Sequence, residues 1–185
     1  MAPEKGKKGK KVAKKAKPEA EVHVPKGGIK RGSAENVIKA SLPSGDRLSR
    51  NGAAVAILKT DECLVKIAKN CKHSLVLRGK KTLTHKILIE VLEHQCAGSH
   101  VLKAAQMATE LAHRNKIANA SVGRIIKKEL GKDYRMSATA LDAFSKIAQA
   151  ELERYGEGGS AIAHAAGRKT VKKRDMQAVS LIRAY

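Results

Sequence analysis

Two arginines and two short basic segments are the residues of this sequence whose types and spacing could do chemistry. Arg47 stands two positions before Ser49, and Arg135 stands two before Ser137. Farther along run Lys80-Lys81-Thr82 and Arg168-Lys169-Thr170, the latter followed by Lys172-Lys173. Guanidinium and ammonium groups beside a hydroxyl hold phosphate oxygens through charge-assisted hydrogen bonds. For one isolated arginine, a solvated surface charge is the ordinary reading. Repetition reverses it: Arg135, Ser137, Gly167, Lys169 and Thr170 each follow Arg47, Ser49, Gly79, Lys81 and Thr82 by 88 positions.

The other chemical candidates are weaker. His94, Cys96 and His100, with Cys71 and His73 farther off, suggest zinc, but their spacing fits no common zinc signature. Cys63 and Cys71 fall on an apolar helix face and read as structural. Gly156-Glu157-Gly158-Gly159-Ser160 imitates a phosphate loop, yet it sits inside an amphipathic pattern with no strand before it. No nucleophile–base pair and no paired acids are evident. The expectation is therefore no catalytic residue, no metal, no cofactor and no enzyme.

The elements that position the basic segments are helical. Leu141, Phe144, Ala148, Leu152, Tyr155, Gly159, Ile162 and Ala166 recur at steps of three or four and share one face. Ser137 suits the start of that helix and Gly167 its stop. Such a helix, about 29 residues, runs roughly 44 Å and needs a partner along its stripe. The first half repeats it from Ser49 to about Leu77, with Leu58, Leu64, Ile67, Ala68, Cys71 and Leu75 inward. Short helices flank each long one. They are expected to begin at Ser33 (Val37, Ile38 and Leu42 inward), at Thr84 (Leu88, Val91 and Leu92), at Ser121, and after Asp175 (Met176, Val179 and Ile182). The unit is short helix, loop, long helix, loop, short helix, present twice.

Composition bounds the partner. In 185 residues the net charge is +21, with 2% aromatics and no Trp, and the pI is near 10.1. That charge calls for a polyanion, and the lack of stacking rings disfavours single strands. Duplex DNA is favoured. No stretch is long and apolar enough to cross a membrane, and the first residues carry no signal-peptide core. Three cysteines, an odd count, read as intracellular and reduced. Each half alone is too thin to bury a stable core, so the halves are expected to fold as one intertwined pair.

These residues carry a family resemblance. Short–long–short helices, an Arg in the first loop and Lys-Thr in the second resemble the histone fold. Val122-Gly-Arg-Ile-Ile-Lys-Lys and Gly167-Arg-Lys-Thr-Val-Lys are similar to archaeal histones, while Asp133-Tyr-Arg-Met-Ser-Ala-Thr-Ala-Leu with Asp175-Met-Gln resembles histone three. Arg47-Leu-Ser and Lys80-Lys-Thr-Leu-Thr resemble histone four. A single chain in that order resembles the fused histone doublets of giant viruses such as the Marseilleviridae.

The resemblance implies an all-α fold in four parts. These are a disordered basic tail at 1–32 with eleven Lys and Arg against three Glu, a histone-four-like fold at 33–93, a helical connector at 94–120 and a histone-three-like fold at 121–185. The connector, with Val101, Leu102, Ala105, Ala108, Leu111 and Ala112 as its stripe, resembles the extra helix before the histone-three fold; a semi-rigid spacer is the plain alternative. The resemblance further implies an intramolecular heterodimer in which first and second loops lie side by side. DNA contacts then fall to Arg47, Ser49, Lys80, Lys81, Thr82, Arg135, Ser137, Arg168, Lys169, Thr170, Lys172 and Lys173. Loop arginines enter a narrowed minor groove, a mechanism carried over from the histone octamer.

His164, Arg168 and Asp175 are the expected self-association site between two copies, with His164 one place out of the family pattern. Ile87 stands where the second half has Asp175, so the first half lacks that brace. The implied function is DNA packaging as a nucleosome core component in chromatin, in a host nucleus, viral factory or virion. The implied partners are duplex DNA, a second copy and a two-B/two-A type doublet, with no membrane. The rivals are a regulatory histone-fold subunit of a transcription or replication complex and an archaeal-type tandem histone forming filaments.

Overall fold

A computed structural model describes residues 21–25, 27–96, 99–109 and 116–182. Within these residues the chain is almost entirely helical. Helix α1 spans Arg31–Ser41, α2 Arg50–Leu77 and α3 His85–Cys96; a short α4, His100–Gln106, runs into a 3-10 turn at Met107–Thr109. Then come α5 at Asn119–Leu130, α6 at Ala138–Ala165 and α7 at Lys173–Ile182. Four two-residue strands sit in the loops: β1 Arg47–Leu48, β2 Thr82–Leu83, β3 Arg135–Met136 and β4 Thr170–Val171. The starts of α1, β1, α2, β2 and α3 recur 88 positions later as those of α5, β3, α6, β4 and α7.

The long helices form where the apolar stripes predict. Ser49 and Ser137 occupy the N-cap positions, their hydroxyls accepting from Gly52 N–H and Ala140 N–H. Past the other ends, Gly79 and Gly167 take φ of 61° and 67°, a left-handed turn that suits glycine. Helix α1 packs chiefly on α6, α5 chiefly on α2, and α7 on both long helices. Cys63 and Glu151, counterparts 88 positions apart, meet with Sγ 3.5 Å from Oε1 where α2 and α6 pass each other. One continuous apolar core results, drawing Val37, Ile57, Leu64, Phe144, Ile147 and Val179 from both halves.

Several details depart from expectation. The first and third short helices begin two residues early, at Arg31 and Asn119, and Ser33 and Ser121 are inside them; neither N-cap position has a side-chain cap. Ile57, rather than Leu58, is the wholly buried member of its pair, and Ala166 is exposed at the helix end. The tail expected to reach residue 32 gives way earlier to a packed strap. Ile29 is buried and Val22 and Val24 lie against the core, because these three apolar side chains supply the burial that a purely polar tail lacks. Residues 1–20 lie outside the described part.

The connector is neither a bare spacer nor wholly external. Ser99 caps α4 by accepting from Leu102 N–H, and Val101, Leu102, Ala105 and Ala108 are buried against the core. His85 Nε2 lies 2.9 Å from the Ala105 carbonyl oxygen, and His100 Nε2 lies 3.1 Å from Glu151 Oε1. Leu111 and Ala112 lie outside the described residues.

Candidate nucleic-acid interface

The loops meet in crossed pairs. β1 runs parallel to β4 with Arg47 opposite Thr170; β2 runs parallel to β3 with Thr82 opposite Arg135. At the first junction Arg47 N–H donates to Lys169 O at 2.8 Å and Ser49 N–H to Val171 O at 2.9 Å. At the second, Arg135 N–H donates to Lys81 O and Ser137 N–H to Leu83 O at the same two distances. Alternation along two residues does the rest. Leu83 and Val171 point inward and are buried, while Arg47, Arg135, Lys81 and Lys169 are left at the surface.

The remaining expected site residues fall into three groups. Lys80, Thr82 and Lys172 are exposed and Thr170 and Lys173 half-buried around the same junctions. Ser49 and Ser137 turn a lone pair to their helix caps, and the Ser137 hydroxyl also lies 3.1 Å from Thr139 Oγ1. Arg168 does not fit its expected place among the DNA contacts. Its guanidinium makes two bonds to Asp175, at 2.9 and 2.7 Å, and a third to Thr170 O at 3.1 Å. It is spent on bracing the loop.

Asp175 is 1% exposed. Burial alone would push its carboxyl up, but Arg168 and the Lys172 amide, 2.7 Å away, hold it below the usual carboxylate range. The Asp175 bonds in turn raise the Arg168 guanidinium further. His164 stands apart from this pair: its Nε2 lies 2.8 Å from Asp46 Oδ1, on the loop before Arg47. The first half has Ile87 buried in place of Asp175, and uses a different pair, Arg78 with Glu90, farther toward the surface.

Two features escaped sequence reasoning. At the second junction Lys81, Thr82 and Arg135 share a cleft of about 420 Å³ with Lys132 and Asp133. Elsewhere Lys30, Arg31, Arg50 and Arg124 line a wider cleft, about 710 Å³, beneath the strap. These four come from three helices and the strap end, so no spacing in the sequence signals them. Arg50 there also pairs with Glu21 at 3.0 Å. Cys71, by contrast, is wholly enclosed, and burial pushes its thiol up to about 12. Among the described residues, no three His, Cys, Asp or Glu side chains gather as metal ligands would.

Comparison with known proteins agrees with this geometry. Residues 108–182 match the family described as the core histone H2A/H2B/H3/H4 domain. The chain carries a histone fold. Among solved structures it is similar to the crystal structure of the histone from Methanopyrus kandleri, with TM-score 0.63 and 23% identity over 82% of this chain and 92% of that one. At that identity the likeness speaks for the fold. The curated proteins give no sequence match. The histone fold accounts for the short–long–short order of the helices.

Proposed function

We propose that this chain packages double-stranded DNA as two histone folds paired within one polypeptide, in the manner of a fused four–three doublet of the Marseilleviridae kind. One observation carries the reading. Each loop arginine is hydrogen-bonded through its backbone beside the Lys-Thr segment of the other half, Arg47 by Lys169-Thr170 and Arg135 by Lys81-Thr82. Two cationic clusters are thereby built from residues far apart in sequence, on a chain of net charge +21. Lysine and threonine would neutralise phosphates while the arginine enters the minor groove, with little readout of base sequence. The cleft of Arg31, Arg50 and Arg124 offers a further phosphate contact.

Assembly follows from the ends. The Arg168–Asp175 brace fixes the turn from α6 into α7, whose Leu181 and Ile182 are 67% and 69% exposed. A second copy is proposed to cover this end, and a two-B/two-A type doublet the other, where Val76 and Leu77 are exposed. Chromatin is the setting this function requires.

The test is duplex binding by Arg47→Ala and Arg135→Ala. Each should weaken binding alike on all sequences and reduce the salt slope by about 1. A change confined to one base position would sink the packaging reading. The likeness to an archaeal histone favours, as a second reading, a tandem histone that polymerises along DNA. Nuclease digestion separates them: a ladder of lengths growing with protein indicates filaments, and one protected length indicates a closed particle.

A further inference from the structure

The two junctions share a backbone plan but are anchored by different side chains. Pro43 O accepts from Asp46 N–H at 3.1 Å, closing a turn through Gly45 at φ 90° immediately before Arg47. The Asp46 carboxylate points away from solvent and is 3% exposed. Ser160 Oγ donates to its Oδ2 at 2.6 Å, and His164 Nε2 lies 2.8 Å from its Oδ1. Ser160 and His164 are one turn apart on α6, so both oxygens are tied to one rigid helix. The Ser160 bond foremost, then His164, holds the Asp46 carboxyl below its ordinary range; Lys169 is the remaining charge acting on it.

None of this recurs at the other junction. Position by position, 88 residues away, Asp46 becomes Tyr134, Ser160 corresponds to Lys72 and His164 to Val76. There the Lys72 ammonium lies 6.0 Å from the Tyr134 ring centroid, at the outer limit of a cation–π contact, and donates to Glu129 O at 3.2 Å. Val76 is exposed.

We propose that Asp46 is a positioning residue for DNA binding: tied to α6 by Ser160 and His164, it fixes the turn that presents Arg47, so that the Arg47 junction grips duplex more firmly than the Arg135 junction. This rests on the DNA-packaging reading above. A carboxylate beside a phosphate-facing arginine repels DNA if it acts only as a charge. Here its oxygens are occupied inward, and the ordering of the loop is complete before DNA arrives, which spares the entropy of ordering it on binding. The two roles predict opposite signs.

The experiment is a double-mutant cycle on duplex affinity in the full chain. Asp46→Ala should weaken binding about threefold to tenfold. The loss should vanish in an Arg47→Ala background and persist in an Arg135→Ala background. Asp46→Asn, which keeps an acceptor for Ser160, should recover most of the affinity. Tighter binding by Asp46→Ala, or an equal loss in both arginine backgrounds, would overturn the proposal. Should thermal melts show that Asp46→Ala does not fold, Ser160→Ala and His164→Ala each remove one tie and must give the same pattern. Wild-type protein that binds no duplex would defeat the packaging reading itself, whereas a wild type that binds and a cycle that fails would defeat only this inference.

Discussion

Helices α2 and α6 are each 28 residues long and begin and end 88 positions apart, yet they are stitched into the molecule by different means. Where α6 has Gly156, Gly158 and Gly159, α2 has Ala68, Asn70 and Cys71. Where α6 is followed by the Arg168–Asp175 brace, α2 is followed by Lys80 and a buried Ile87. What repeats is the frame: caps, loop pairing and the left-handed glycine that ends each helix. What has diverged is the side-chain contact within that frame. Backbone bonds and caps tolerate no substitute for their geometry, whereas packing between two surfaces can be solved many ways at similar energy.

The braces should show the largest difference. Asp175→Ala strands Arg168 at a site where its side chain is only 19% exposed, so the melting temperature is expected to fall by roughly 5–10 °C. Arg78→Ala removes the first half's counterpart, whose side chains are 39% and 29% exposed, and should cost about 1–2 °C. Thermal melts of both variants check the contrast. Acid sharpens it. A carboxyl depressed in the folded state stabilises above the unfolded value, about 3.9, and loses that contribution as pH falls below it. Asp175→Asn should flatten the acid limb of the stability curve, and equal melting losses for Asp175→Ala and Arg78→Ala would erase the distinction between the halves.

The glycines come next. A Cβ on Gly156 would stand 2.9 Å from the Ile38 carbonyl oxygen and collide with Ser41 Oγ; one on Gly159 would stand 2.9 Å from Val171 Cγ1. These absences let α1 and the β4 loop approach α6 closely. Gly→Ala in a helix ordinarily stabilises, by about 0.5–1 kcal/mol, and Gly32→Ala in α1, with nothing within 4 Å, should do so. Gly156→Ala should reverse the sign and cost about 1–2 kcal/mol net of that gain. Denaturant unfolding of the pair reads both. Stabilisation by Gly156→Ala would mean that α1 can yield to a methyl group on α6 at no cost.

Legibility followed the same division between frame and contact. The caps at Ser49 and Ser137, the two stripes and the loop spacing were readable because each depends on residues a few positions apart. Gly156-Glu-Gly-Gly-Ser could be rejected as a phosphate loop from its place in the stripe, but its packing role needs Ser41 and Val179 from other helices. The strap is hidden in the sequence by the basic run before it: residues 21–30 themselves carry only Glu21, Lys26 and Lys30 beside Val22, Val24 and Ile29, but eight lysines crowd positions 5–17. The partner of His164 was unreadable for a similar reason: Asp46 lies 118 positions away. Arg168 was assigned twice, to DNA and to Asp175, and a guanidinium with two bonds to one carboxylate has little left for a phosphate.

The smallest expected effect concerns the strap, where the halves again use one plan with two chemistries. Ile29 and Ile117, 88 positions apart, are both buried just before their short helices. Asp61 accepts the Ile29 amide, while at the counterpart position Gln149 Oε1 accepts the amide of Lys116 at 3.3 Å. The neutral amide suits its place. The carboxyl does not: Asp61 Oδ1 is buried without a hydrogen-bond partner, and burial raises the group to about 6 against the pull of the Ile29 amide. A carboxyl raised on folding binds its proton more tightly in the folded chain, so its effect on stability is most favourable below the unfolded value, about 3.9. That advantage declines as pH rises toward 6 and is gone above it. The strap should accordingly be held less firmly at pH 7.5 than at pH 5. Hydrogen exchange at the Ile29 amide should be faster at pH 7.5 once intrinsic rates are corrected, while the Lys116 amide should show no such change. Asp61→Asn copies the neutral clasp of the second half and should slow Ile29 exchange at pH 7.5, with a smaller difference at pH 5. Equal protection at both pH values in the wild type would show that water reaches Asp61 and that the two clasps are equivalent.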